Sequence, residues 1–118
     1  MATDDELPIE HNLRIWRGDT WARLQLTYTD ALGDPIDVSD RSWSAQIKRN
    51  PEDTTAAAEI DFDITDAANG VVPMSIPAAT TAAMTPGLYV WDCQETGASG
   101  AVTTIVAGAV TVRSDTTR

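Results

Sequence analysis

From Leu13 onward, apolar residues return at every second position in short blocks, and each block closes on Gly, Pro, Asn or Asp. That period belongs to a pleated strand with one buried face. Leu13 and Ile15 form the shortest block, ahead of an Arg17-Gly18-Asp19 turn. In the next block Ala22, Leu24, Leu26 and Tyr28 share one face and Arg23, Gln25 and Thr27 the other, which leaves Trp21 on the polar-alternating side. Gly33 and Pro35 then supply the free and the fixed φ of a turn. Trp43, Ala45 and Ile47 alternate with polar residues in a third strand that ends at Asn50-Pro51.

Residues 53–58 have helical propensity but too few large apolar groups to bury a helix face, so they read as loop. Ile60, Phe62 and Ile64 alternate with Glu59, Asp61 and Asp63 as a half-buried strand. Asn69-Gly70 suits a type I′ hairpin, whose second strand would turn Val72, Met74 and Ile76 inward and need Pro73 at an edge or bulge. A short helical turn fits residues 77–84, begun at Pro77 and stopped by Pro86-Gly87. Residues 88–94 are apolar on both faces, as in a central strand, with Tyr89, Trp91 and Cys93 sharing one of them. Two closing runs, 101–106 and 109–112, would be joined or bulged at Gly108.

Seven to nine short strands with no crossover helix predict an all-β fold. The expected form is a single antiparallel immunoglobulin-like or jelly-roll-like β-sandwich, with one short helical turn near residues 77–84. It would occupy residues 13–118, behind an acidic N-terminal arm at 1–12 that carries Asp4, Asp5, Glu6 and Glu10.

Charge narrows the partners. Eight Lys and Arg against 18 Asp and Glu leave the 118-residue chain at −10, which repels nucleic acid and gives no steering to an anionic membrane. Neither a signal peptide nor a membrane span can be read. Cys93, the single cysteine, lies on the expected core face as a packed thiol, and it excludes an intramolecular disulfide framework. With one Cys and one His, His11 in the arm, no tetrahedral zinc set can form within a subunit. Asp34, Asp37 and Asp40 share a loop, but no calcium-loop spacing organises them, and Asp is at home in turns that bond their own backbone. The expectation is a protein that is not an enzyme, with no catalytic residue, metal, cofactor or small-molecule ligand.

Candidate chemistry therefore lies in contact surfaces. Leu7 and Ile9 give the acidic arm an apolar patch, and four tryptophans are more indole than one small core fully buries. Trp43 and Trp91 fit core positions. Trp16 and Trp21 bracket the Arg17-Gly18-Asp19 turn, and with Leu7 and Ile9 they are the candidate subunit interface.

Taken in order, Trp16-Arg17-Gly18-Asp19-Thr20-Trp21, a Gly33-Asp34-Pro35-Ile36-Asp37 turn, a Pro86-Gly87-Leu88-Tyr89 start of a strand and a closing Gly108-Ala109-Val110-Thr111-Val112 resemble a group of small structural proteins of tailed bacteriophages. Over about residues 15 to 115 the chain resembles the amino-terminal β-sandwich of baseplate upper proteins. The resemblance implies a non-enzymatic virion component of the baseplate, tail or head–tail adaptor, located in the virion, with partners among other virion proteins and copies of itself. Because the sequence stops at Arg118 with no stem or receptor-binding tip, a short adaptor or joint is expected rather than a host-binding tip. A capsid decoration protein is the alternative within the class. Outside it stands a carbohydrate-binding or adhesion module, which would line up two or three exposed, coplanar indoles.

Overall fold

The alternation carries through into eight strands and one helical turn. The computed structural model describes residues 8–114. In chain order the strands are β1 (Ile9–Glu10), β2 (Leu13–Trp16), β3 (Trp21–Thr27), β4 (Ser42–Lys48), β5 (Ala58–Phe62), β6 (Val71–Ile76), β7 (Gly87–Thr96) and β8 (Val102–Arg113), with α1 (Ala78–Ala82) between β6 and β7. They follow the spatial order β1-β8-β7-β4-β5-β6-β3, with β2 also beside β8. The sheet turns its corner inside β5, where Ala58 and Ile60 pair with β4 while Asp61 and Phe62 pair with β6. The two flanks curl over one core as a half-barrel of the immunoglobulin-like or jelly-roll-like kind. Ile15, Ile47, Met74, Ile76, Trp91 and Val110 meet in that core.

All pairings are antiparallel except those of the N-terminal segment. β1 and β2 run parallel to β8, Ile9 beside Val106 and Leu13 beside Val110. Ile9 and Glu10, which the sequence places in the arm, are thus part of the sheet, and His11 and Asn12 link them to β2, while Leu7 lies outside the described residues. The link between β1 and β2 crosses over Gly108, which has no side chain to meet it. A Cβ there would lie 2.2 Å from the His11 carbonyl oxygen and 2.9 Å from Asn12 Oδ1. The same gap lets Trp91 Nε1 donate to the His11 carbonyl at 2.8 Å. Asn12 Oδ1 accepts the Ala109 N–H at 2.9 Å. Gly108 is therefore a point of close approach, and the two closing runs are joined there in one continuous strand rather than bulged. The bulge falls at Ile105, between the pairs Cys93 with Val106 and Gln94 with Thr104.

Three further local expectations are corrected. The connection after β5 is a longer loop ending in a 3-10 turn, Ala67–Asn69, with Gly70 left-handed at φ 77°, and not a two-residue hairpin. β5 accordingly ends at Phe62, leaving Ile64 exposed. Pro73 sits in a strand flanked on both sides, opposite Gln25 of β3. Its carbonyl accepts the Asp63 N–H just past the end of β5. A residue's N–H and C=O point to the same side of a strand, so the missing donor faces the end of the β5 ladder, where it is least needed. Finally, a bulge between Trp21 and Leu24 turns Trp21 inward with Leu24 and Leu26, and it is 5% exposed.

At one end of the half-barrel a polar tie joins the flanks. Trp43 Nε1 donates to the Tyr28 hydroxyl at 2.9 Å, and that hydroxyl donates to Glu95, which also takes Arg41 at 3.3 Å. The Arg41 guanidinium lies 5.5 Å from the Tyr28 ring centre. Burial, then the hydrogen bond to Glu95, hold the Tyr28 hydroxyl well above its ordinary range. On the same strand as Glu95, burial and then the Asp92 and Glu95 charges push the Cys93 thiol up to about 12.

Two outcomes follow. Gly108→Ala should cost about 1–3 kcal/mol, because the His11–Asn12 backbone must move and its hydrogen bonds are lost. Urea midpoints at constant slope would show it. Tyr28 and Cys93 both hold their protons more tightly folded than unfolded, so their contribution is complete below their ordinary values of 10.0 and 9.0 and drains away as the pH rises past them. Stability measured by urea should fall from about pH 9 upward, and a Tyr28→Phe, Cys93→Val double variant should show a shallower fall from a lower start.

Candidate functional site

β2 and β3 lie at the two ends of the curled sheet, and each is paired on one side only among the described strands. Residues 17–20 join them, so the two open backbone edges flank a seam that the half-barrel does not close. The seam holds a cleft of about 350 Å³. Arg14 on β2 and Arg23 on β3 line its sides, with His11 and Asn12 at one end, and Asp19 in the turn at the other. Trp16 borders it and Trp21 forms part of its floor.

The turn is held rigidly. Gly18 N–H donates to Thr81 Oγ1 at 3.0 Å, and the Thr81 hydroxyl, fully buried, reaches the Asp19 carbonyl at 2.7 Å. Arg17 Nη2 donates to the Ala82 carbonyl at 2.7 Å, and the Arg17 N–H donates to the Arg113 carbonyl. α1, a helix of one turn that would not form alone, works here as the clamp on the β2–β3 connection. Because the Arg17 side chain is spent on α1, the Arg17-Gly18-Asp19 triplet is a structural turn and does not display its arginine.

Of the sequence-predicted interface residues, Ile9 is 52% exposed on β1 and Trp16 is 39% exposed at the cleft mouth, one face of its indole covered by the Arg113 guanidinium at 5.2 Å from the ring centre. Trp21 supplies core and cleft floor, not surface. Trp91 is buried, and Trp43 is half-buried between Tyr28 and Phe62. No two exposed indoles stand side by side among the described residues. A second hollow, about 250 Å³ and shallow, lies on the outer face of β4, β7 and β8 beside Val90 and Ala107. Leu88, 71% exposed, sits on the same face.

The carboxylates have local work. Asp30 accepts the N–H groups of Leu32 and Asp34, Asp37 those of the Ser39 backbone and hydroxyl, and Asp63 that of Thr65. The bonds from Ser39 and from Thr65 hold the Asp37 and Asp63 carboxyls below the usual range. Among the described residues no three His, Cys, Asp or Glu side chains converge.

Sequence reasoning overlooked the cleft arginines. The signal was present: Arg14, Arg17 and Arg23 fall within ten residues of a chain that has only eight Lys and Arg in all. Thr81 gave no such signal, since its importance comes from burial beside a turn sixty positions away.

No protein-family model and no curated protein matches the chain. Among solved structures it is similar to the SrpA adhesin from Streptococcus sanguinis, at 13% identity and TM-score 0.47, over 89% of this chain and 56% of that one. It is also similar to a chain in a complex of ICOS with ICOS-L and an anti-ICOS-L VNAR domain, at 12% identity and TM-score 0.46, over 91% and 55%. A family 123 glycoside hydrolase from Clostridium perfringens aligns at 15% identity and TM-score 0.36, over 90% and 23%. The chain spans little more than half the length of the first two and under a quarter of the third.

Thr81→Val keeps the volume and removes the hydroxyl that serves both Gly18 and Asp19. It should cost about 1–3 kcal/mol in urea unfolding. Faster amide exchange confined to residues 17–20 and α1 would locate the loss.

Proposed function

We propose that the chain is a non-enzymatic β-sandwich module that works by protein–protein contact, and that it serves as a structural component of a tailed-bacteriophage virion, of baseplate, tail or adaptor type. One observation carries the contact reading: among the described residues the half-barrel leaves two backbone edges unpaired on either side of an arginine-lined cleft, with Trp16 exposed at its mouth. Open strand edges are templates for a partner's strand. The virion reading is supported by the order of its motifs along the sequence. Residues 16–21 form the β2–β3 connection, Pro86-Gly87-Leu88-Tyr89 opens β7, and residues 108–112 lie in β8.

Trp16 also favours a second reading, an adhesion or carbohydrate-binding module, because an indole beside a polar cleft can stack on a sugar ring. Against it stand the burial of Trp21 and Trp91 and the guanidinium already seated on Trp16.

Co-expression with the products of the genes flanking this one, followed by negative-stain electron microscopy, tests the proposal. Rings, tubes or tail-like particles containing the chain are expected. A chain that co-purifies with none of those products overturns the virion reading. Glycan-array binding abolished by Trp16→Ala would then establish the second.

A further inference from the structure

The cleft between β2 and β3 has two properties that point to one occupant. Its sides are backbone edges, so an extended strand can satisfy them. Its charge is also opposite to that of the molecule. In a chain of net charge −10, Arg14 and Arg23 face into the cleft, Arg113 stands beside Trp16 at its mouth, and Asp19 is the one carboxylate among the lining residues. The ion pair found among the described residues is Arg41 with Glu95, which leaves Arg14 and Arg23 without a carboxylate.

A segment of complementary charge precedes the described residues. Residues 1–7, Met-Ala-Thr-Asp-Asp-Glu-Leu, place three carboxylates in succession at Asp4, Asp5 and Glu6. Strand direction argues that the segment comes from another molecule. β2 and β3 leave the 17–20 turn in opposite directions, since β2 is parallel to β8 and the pairings from β8 through to β3 are all antiparallel, so β1 lies beyond β2 on the side away from that turn. The cleft is lined by residues 11–23, and the chain enters β1 already heading toward it. Its own first residues would have to double back to reach the site, whereas those of a second copy can enter straight.

Resting on the subunit-contact reading above, we propose that residues 1–7 of a second copy lie in this cleft as an added strand along the open edge of β3, with Asp4, Asp5 and Glu6 set against Arg14 and Arg23. Each copy then offers one arm and one receiving cleft, and repetition of the contact closes a dimer or a ring.

Sedimentation of the full chain tests this, with three variants: R14E/R23E, D4K/D5K/E6K and a chain lacking residues 1–7. The wild type should self-associate more weakly at high salt, since exposed pairs are screened. Either charge reversal should weaken association roughly tenfold or more, and both reversals in one chain should restore it. Truncation should leave monomer. Because R14E/R23E could disturb folding, a synthetic peptide of residues 1–7 added to the wild type provides a second measurement and should dissociate the complex. A monomeric wild type overturns the inference. So does association that survives truncation and peptide alike, which would sink the arm exchange while leaving contact through another surface, and with it the proposed function, intact. Failure to co-assemble with flanking-gene products would instead sink the virion reading while leaving arm exchange to stand on the sedimentation result.

Discussion

The fold depends on a crossing that only a residue without a side chain permits. Where the N-terminal segment passes over β8, Gly108 lets the His11 carbonyl come close enough for Trp91, one strand further in, to donate to it. That bond, the Asn12 cap on Ala109 and the parallel ladder fix β1 and β2 on β8. Everything about the seam follows. With β2 committed to β8, no strand among the described residues covers the edge of β3, and the sheet they form is a half-barrel with an open side.

The seam is therefore not a defect of packing. Trp21 fills its floor because the β3 bulge turns the indole inward, and α1 braces its closed end through Thr81. The opposite end of the half-barrel is sealed by the Tyr28, Trp43 and Glu95 tie, with apolar residues Val38, Ala67 and Val72 beneath it. One end is locked by a half-buried polar network and one side is left accessible. That division suits a module whose scaffold must stay fixed while a single lateral surface makes contact.

Much of the fold was legible because period-two burial needs no knowledge of partners. The strands around Leu24, Ala45, Met74 and Trp91 and the helical turn after Pro77 could be read directly, as could the inward set Val72, Met74 and Ile76. What failed depends on register or long-range approach. A bulge shifts every later side chain to the other face, and nothing in the local pattern at Trp21 announces one. Whether Gly108 joins or bulges its two runs could not be read, because a glycine needed for close approach and one needed for a bend look alike in sequence. The parallel docking of Ile9 and Glu10 was hidden for a related reason: two residues of strand carry no period. The indoles drew attention toward the site, yet its charge lies in Arg14 and Arg23, which alternation alone assigns to an ordinary solvated face.

The parallel pairing also sets an order on how the molecule is made. Ile9 meets Val106, a partner 97 positions later. During synthesis the first strand leaves the ribosome long before β8 exists, and closing so distant a contact is slow. The hairpins β5–β6 and β7–β8 can form as their residues emerge, whereas β1 and β2 must wait for β8 to be translated. The N-terminal segment is thus the final piece to settle, next to the seam, and a nascent chain spends most of its synthesis with that segment free to find a neighbouring chain on the same message.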